Sequence, residues 1–525
     1  MRKRTYIEGV TNCGPLSSIG SGASASPPFV FVVAVAAVVA STLFGFVSSQ
    51  HVQRQQIVSV GSGAGPGSGG VLLGQRLCVD TSLEDGEFVV VASATRMNAW
   101  QGGAFMIQRN ARTGLFELKG QGQGIRSEFA EGAQEHVRGV LRAPQSGDSL
   151  GFDCVLRLNK HTLLLSAPGT RQNRGLVRVF HRNMDSEMED EDAAWVENTR
   201  ATLESPNAFV NERYGSALAA SLDGETLLVA AKGHMLNLGA VYVYHCSAGG
   251  STRKAVLFEH CDYLQMLLPE EPYVELRHGN ARVRNNFGVA LAVSEDGLVL
   301  VVGAPGEKSE QGSAHVYVRQ SQRDEFIFMQ TLSQPNPQED SFFGYRLAMS
   351  GDASVIAVGA DGERQYAGAA YVFMRNFDSG MYSLLQELRL EAGLEEDNFG
   401  GSLALNRAGT TLIVGAPGAK SGRGEPDVGA LFVYRRSWSN ACAADGVSSG
   451  ISQMFVLDQH ITPILRGEAS LQGSFFAWDV AMDPSARFWA ASVPYASERD
   501  GYITFGTFEA RTDNLCAQST EKEEL

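Results

Sequence analysis

Phe343-Gly-Tyr-Arg-Leu-Ala-Met349, followed by Gly359-Ala-Asp-Gly362 and Ala370-Tyr-Val-Phe373, decides the fold, because the chain writes this passage more than once. Phe287-Gly-Val-Ala-Leu-Ala-Val293 starts 56 residues before it, and Phe399-Gly-Gly-Ser-Leu-Ala-Leu405 starts 56 residues after it. The first leads to Gly303-Ala-Pro-Gly306 and Ala314-His-Val-Tyr-Val318, the second to Gly415-Ala-Pro-Gly418 and Leu431-Phe-Val-Tyr434. A repeat of this period means stacked units, none of which can bury its apolar face alone.

Weaker copies follow the same template. Tyr214-Gly leads to Ala230-Ala-Lys-Gly233, Leu150-Gly to Ser166-Ala-Pro-Gly169, and Leu73-Gly to Phe88-Val-Val-Val-Ala-Ser93. Phe475-Phe leads to Ala490-Ala-Ser-Val-Pro494, which makes seven copies between Leu73 and about Phe508. Within a copy, Leu-Ala-Val/Met/Leu reads as a short first strand. A glycine corner such as Asp296-Gly297 or Ala408-Gly409 then turns the chain, since glycine tolerates positive φ. Leu298–Val302 and Leu412–Val414 are second strands, apolar on both faces and so buried between neighbours. The Gly-Ala-Pro-Gly passage breaks the ladder, because proline lacks a donor. Val241-Tyr-Val-Tyr244 alternates as a third strand, and Tyr263-Leu-Gln-Met-Leu267, Phe328-Met-Gln-Thr-Leu332 and Leu384-Leu-Gln-Glu-Leu388 are fourth strands. Four antiparallel strands repeated seven times predict an all-β chain folded as a seven-bladed β-propeller, over residues 71–510.

The seventh copy lacks a fourth strand of its own, because the tail 511–525 is polar and short. An unpaired edge is a liability. Segment 55–60, Gln-Gln-Ile-Val-Ser-Val, lies within the linker 48–70 and is expected to complete the last blade. The other reading of this linker, rich in Gly, Ser, Ala and Pro from Gly61 to Gly70, is a stalk without structure.

These landmarks resemble the FG-GAP repeat, whose best-known members form the N-terminal propeller of integrin α chains. The resemblance is strong in copies four to six and weak in the first and last. It implies a propeller used for extracellular binding, with Phe-Gly and Gly-Ala-Pro loops on one rim and Asp-Gly hairpins on the other. It names no ligand, since one propeller fold serves many functions. The chain departs from integrin-type repeats at the hairpins. Ser221-Leu-Asp-Gly-Glu225, Ser294-Glu-Asp-Gly-Leu298, Ser350-Gly-Asp-Ala-Ser354 and Asn406-Arg-Ala-Gly-Thr410 carry too few oxygens for calcium, so no metal is expected and the likeness is to the short, metal-free kind.

Phe29 to Val47 is an uninterrupted run of apolar and small residues. As a helix it would measure about 28 Å, near the hydrocarbon thickness of a bilayer. Arg2, Lys3 and Arg4 precede it, so residues 1–28 are expected to stay cytosolic and the propeller to be translocated. The run is either an uncleaved single-pass anchor or a signal peptide cut near Val47-Ser-Ser49. The final Lys522-Glu-Glu-Leu525 resembles the signals that return proteins to the endoplasmic reticulum. Among the cysteines, Cys246 and Cys261 flank one loop and are expected to bridge, in preference to a zinc site with His245 and His260. Cys442 and Cys516 lie in equivalent loops and are a second candidate pair. Cys78 and Cys154 stand where other copies have small or apolar residues, and read as buried free thiols.

A net charge of −15 disfavours nucleic acid and anionic membrane surfaces as partners. Gly415-Ala-Pro-Gly-Ala-Lys-Ser421 imitates a phosphate loop, but Ala419 precedes the lysine and no helix follows, so no cofactor is expected. There is no His-Glu-x-x-His pair and no Gly-x-Ser-x-Gly elbow. The loops between second and third strands are the natural binding elements. Those of the first three blades offer Arg96, Trp100, Arg171, Arg174, Lys232 and His234 as a candidate rim for a protein or carbohydrate ligand. The main expectation is thus a non-enzymatic, extracytosolic binding or adhesion module. The alternatives are a lumenal factor in glycoprotein folding or sorting, and a propeller hydrolase. The last requires acidic or histidine side chains gathered in the central channel.

Overall fold

The structure, a computed structural model, describes residues 55–58, 72–80, 88–95, 102–109, 113–118, 140–142, 147–157, 161–182, 195–207, 209–249, 256–269, 275–277, 280–282, 285–390, 393–422, 424–439, 452–463, 472–496 and 501–508. These belong to one compact unit, Gln53–Leu525. The 29–47 run and the Lys522–Leu525 tetrapeptide lie outside the described residues, and so do Cys442 and Cys516. No helix among the described residues is long and apolar enough to cross a membrane.

Seven antiparallel sheets form seven blades, each ordered from first to fourth strand. Blade five shows the pattern: Arg346–Met349, Val355–Ala360, Ala369–Arg375 and Tyr382–Leu388 pair in sequence. In blades one and two the fourth position is split into two short strands on the same third strand. One additional hairpin, Glu275–Arg277 with Asn280–Arg282, stands between blades three and four. In blade seven the fourth strand is Gln56–Val58, in register with Ile503–Phe505.

The core explains the unbroken apolar second strands. Among the described residues seven apolar clusters form, and each lies between two consecutive blades. Alternate residues of one strand face opposite neighbours: Val299 and Val301 pack toward blade five, Leu300 and Val302 toward blade three. This is the period-two alternation of a strand, with both faces apolar because both are covered.

The Phe-Gly landmark is a clasp between blades. In six blades the glycine before the third strand bridges the backbone of the next blade's Phe or its substitute, as in Gly312 with Phe343 and Gly368 with Phe399. A Cβ at Gly312 would lie 2.1 Å from the Phe343 carbonyl oxygen, and both glycines have φ near +80°. Only glycine fits such an approach. In blade seven the clasp residue is Phe476, and Ala477 takes the glycine position at φ +62°.

Fourth-strand glutamines make a second set of ties. Gln330 exchanges two 2.8 Å hydrogen bonds with the Tyr382 backbone of the next blade, and Gln386 does the same with Phe455. Gln56 of the closing strand repeats the bond pair on Phe116 of blade one.

Two disulfides are present among the described residues. Cys246–Cys261 joins the third and fourth strands of blade three. Cys78–Cys154 joins the first strands of blades one and two, which corrects the expectation of free thiols there. Cys78 stands two residues past Arg76 and Cys154 one past Asp153, so the bond joins non-equivalent positions of adjacent first strands, a cross-blade proximity that comparison of copies alone did not reveal. Both bonds fit an oxidising, extracytosolic compartment.

Candidate functional site

The two openings of the channel differ. At the Asp-Gly hairpins the carboxylates cap their own turns. Asp296 Oδ1 accepts from the Ser294 hydroxyl at 2.5 Å and from the Leu298 amide, and Asp352 is held likewise by Ser350 and Ser354. The hairpins are also chained by backbone bonds, Leu222 to Glu295, Glu295 to Gly351, Gly351 to Arg407 and Arg407 to Pro484. No group of three potential metal ligands occurs among the described residues.

The opposite mouth is chemically diverse. Two residues after the glycine of each Phe-Gly landmark, the copies carry Arg76, Asp153, Ala217, Ala290, Arg346, Ser402 and Asp479. Arg76 Nε lies 3.1 Å from Asp153 and its Nη1 3.8 Å from Asp479, a bridge that spans blades seven, one and two. Asp153 also accepts the Leu218 amide at 2.7 Å, and Asp479 accepts the Leu77 amide at 2.8 Å. Each carboxylate therefore staples its blade to the next. Burial pushes Asp479 above the ordinary carboxylate range, against the pull of Arg76 and Arg346. These two acids are engaged, and with Arg76 they are taken as the floor of the mouth.

The third position of the Gly-Ala-Pro-Gly passage stands beside this floor. It is Thr95, Pro168, Lys232, Pro305, Asp361, Pro417 and Pro494 in the seven copies. Proline thus gives way to an ionisable group in blades three and five. Asp361 is half-buried and its own backbone N–H donates to the carboxylate. Burial raises its pKa to about 6, although Arg346 pulls the other way. Lys232 lies over the Phe152 ring at 5.2 Å. Burial lowers its pKa, and the nearby Arg213 and Arg346 lower it further. Arg346 stacks on Tyr345 at 4.8 Å and donates from Nε to the Gly401 carbonyl at 3.0 Å. A base and two cations thus meet at one opening, with Arg346 acting on both of the others.

The candidate rim residues separate. Lys232 lies over Phe152, within the field of Arg346. His234 is buried, 1% exposed, with Nδ1 3.0 Å from the equally buried Glu212. Glu212 is meanwhile bonded by Tyr242. Arg171 is exposed and pairs with Glu204 at 2.5 Å, and Arg174 is exposed. Arg96 and Trp100 lie outside the described residues. Sequence reading missed Asp361, Arg346, Arg76, Asp153 and Asp479. The available signal was positional: charges at places where the repeat otherwise holds Pro, Ala or Ser.

No protein-family model matches the chain, and no curated protein matches it in sequence. Solved structures match in fold. A candidate 6-phosphogluconolactonase of Bacteroides uniformis is 8% identical over 78% of this chain and 89% of that chain, with a TM-score of 0.47. A protein from Lactobacillus plantarum is 12% identical over 78% and 90%, with a TM-score of 0.45. The periplasmic gluconolactonase PpgL of Pseudomonas aeruginosa is 13% identical over 74% and 85%, with a TM-score of 0.43. At this level the likeness is one of fold. The named activities are those of lactonases, not of integrins or other adhesion proteins. The expectation of a non-catalytic binding and adhesion module is corrected by this finding, and so is the expectation that the chain is not an enzyme.

Proposed function

We propose that this chain is a propeller hydrolase that opens a lactone or ester by water attack at the Phe-Gly mouth of the channel. One observation carries the reading: Asp361 replaces the motif proline and lies within the field of Arg346, half-buried, with its pKa raised to about 6. A general base works best when its pKa lies near the operating pH. Asp361 takes a proton from water as the water oxygen attacks the carbonyl carbon. The bond from that carbon to the ring or alkoxy oxygen then breaks. The departing oxygen takes the proton back from Asp361, leaving a hydroxy acid, or an acid and an alcohol. Arg346 and Lys232 supply the positive charge that the oxyanion requires, where partial burial strengthens it. Arg76, Asp153 and Asp479 hold the floor in place.

The repeat is of the FG-GAP type, supported by the clasp at each Phe-Gly. The propeller resides in the secretory pathway, supported by two disulfides.

Glucono-δ-lactone and p-nitrophenyl acetate, with acid release followed at constant pH, test the activity. Asp361→Asn is expected to lose about 10²–10⁴-fold in rate. The wild-type rate is expected to fall as pH drops through about 6, where Asp361 takes up a proton. A full rate in Asp361→Asn would remove the base and the reading with it.

A further inference from the structure

Blades two to five carry the same short left-handed turn just past the mouth, and its residues are held at positive φ in all four. The tips of three are polar: Arg171-Gln172, Lys308-Ser309 and Arg364-Gln365. Blade three alone presents Met235-Leu236. Leu236 is 83% exposed and Met235 60% exposed. The ring of Phe209, exposed in the loop that leads into blade three, lies 6.0 Å from the His234 ring, centre to centre, and the exposed Val210 adjoins it. Four large apolar side chains therefore share one rim of one blade. Exposed apolar groups gathered in this way mark a binding surface more often than scattered ones do.

Continuity with the mouth says what they bind. Lys232, which sits in the mouth, is three residues before Met235. Three residues of chain reach at most about 11 Å. The buried His234–Glu212 pair anchors the turn between them. One loop thus sets a cation at the mouth and an apolar tip beside it.

We propose that the substrate is amphipathic: its lactone or ester group enters the mouth between Lys232, Arg346 and Asp361, and its acyl chain lies along Met235, Leu236 and Phe209. This rests on the hydrolase reading for the head group, but the acyl seat can be read without turnover. A bilayer is the lesser occupant, because the net charge of −15 opposes anionic membrane surfaces.

The experiment uses the full chain and γ-lactones from four to ten carbons, with calorimetric titration of saturated fatty acids of the same lengths in parallel. In wild type, kcat/KM and fatty-acid affinity are expected to rise roughly twofold to fourfold per methylene, as partial to full burial of a CH₂ requires. The Met235→Ser/Leu236→Ser variant is expected to flatten both series, and Met235→Leu/Leu236→Met to restore the slope. A flat wild-type series with turnover intact overturns the acyl seat and leaves the hydrolase reading standing. A slope kept in the serine variant overturns it as well. Fatty-acid binding with the expected slope but no turnover of any lactone supports the seat and sinks the hydrolase reading. Binding to phosphatidylcholine vesicles that the serine variant loses, beside a flat acyl series, reassigns the patch to a bilayer and overturns the proposal.

Discussion

Blades four and five are the same structure with different contents. Their landmarks stand 56 residues apart, their second strands Val299–Ala304 and Val355–Ala360 are both wholly buried, and both clasp the next blade through glycine. At the mouth blade four shows Val289, Ala290 and Pro305, where blade five shows Tyr345, Arg346 and Asp361. Blade four is the scaffold alone. Blade five is the scaffold with a base, a cation and a ring to brace the cation. The repeat's constant positions build the ring, and its exceptions at the mouth carry the chemistry.

The largest test erases that difference. Tyr345→Val/Arg346→Ala/Asp361→Pro gives blade five the mouth of blade four. The rate on glucono-δ-lactone is expected to fall at least 10³-fold, about 4 kcal/mol in the barrier, with an unchanged circular dichroism spectrum. A retained rate would place the chemistry on another blade. The next test concerns what the two blades share. Gly312→Ala and Gly368→Ala each drive a Cβ into the next blade's backbone, 2.1 and 2.2 Å from a carbonyl oxygen. Each is expected to cost roughly 3 kcal/mol or more in denaturant unfolding. Clearly unequal losses would show that the two blades are not built alike.

The smallest test uses pH. Folding raises the Asp361 pKa from 3.8 to about 6, so the folded chain holds that proton more tightly than the unfolded one. The contribution of Asp361 to stability therefore declines as pH rises from about 4 to 6, because the half-buried group must ionise. Asp361→Asn escapes this decline. Above pH 6 it is expected to be more stable than wild type by about 1–2 kcal/mol after allowance for solvent, and by nothing at pH 4. Equal stability at pH 7 would mean that Asp361 bears no ionisation cost.

The architecture was open to reading because it is periodic. Seven copies announce seven blades, and apolar second strands announce burial on both sides. The fourth-strand glutamines were visible in Phe328-Met-Gln-Thr-Leu332 and its kin, but their bond to the next blade's backbone depends on a spacing between sheets that no single strand reveals. The Cys78–Cys154 bond was hidden for the same reason. Charge in the loops led toward Arg171 and His234, yet one is neutralised by Glu204 and the other is buried on Glu212. The mouth residues stayed hidden because each is a single exception within its copy, and only ring closure brings blades seven, one, two and five around one opening.

That closure sets a timetable for synthesis. Val58 must wait for Ile503, some 445 residues later, before the last sheet has its fourth member. At about 5–20 residues per second, a ribosome needs roughly 20–90 seconds to supply the missing partner. Throughout that interval the nascent chain carries an orphan strand at one end and a growing arc at the other, which makes it a customer for the chaperones of whatever compartment receives it.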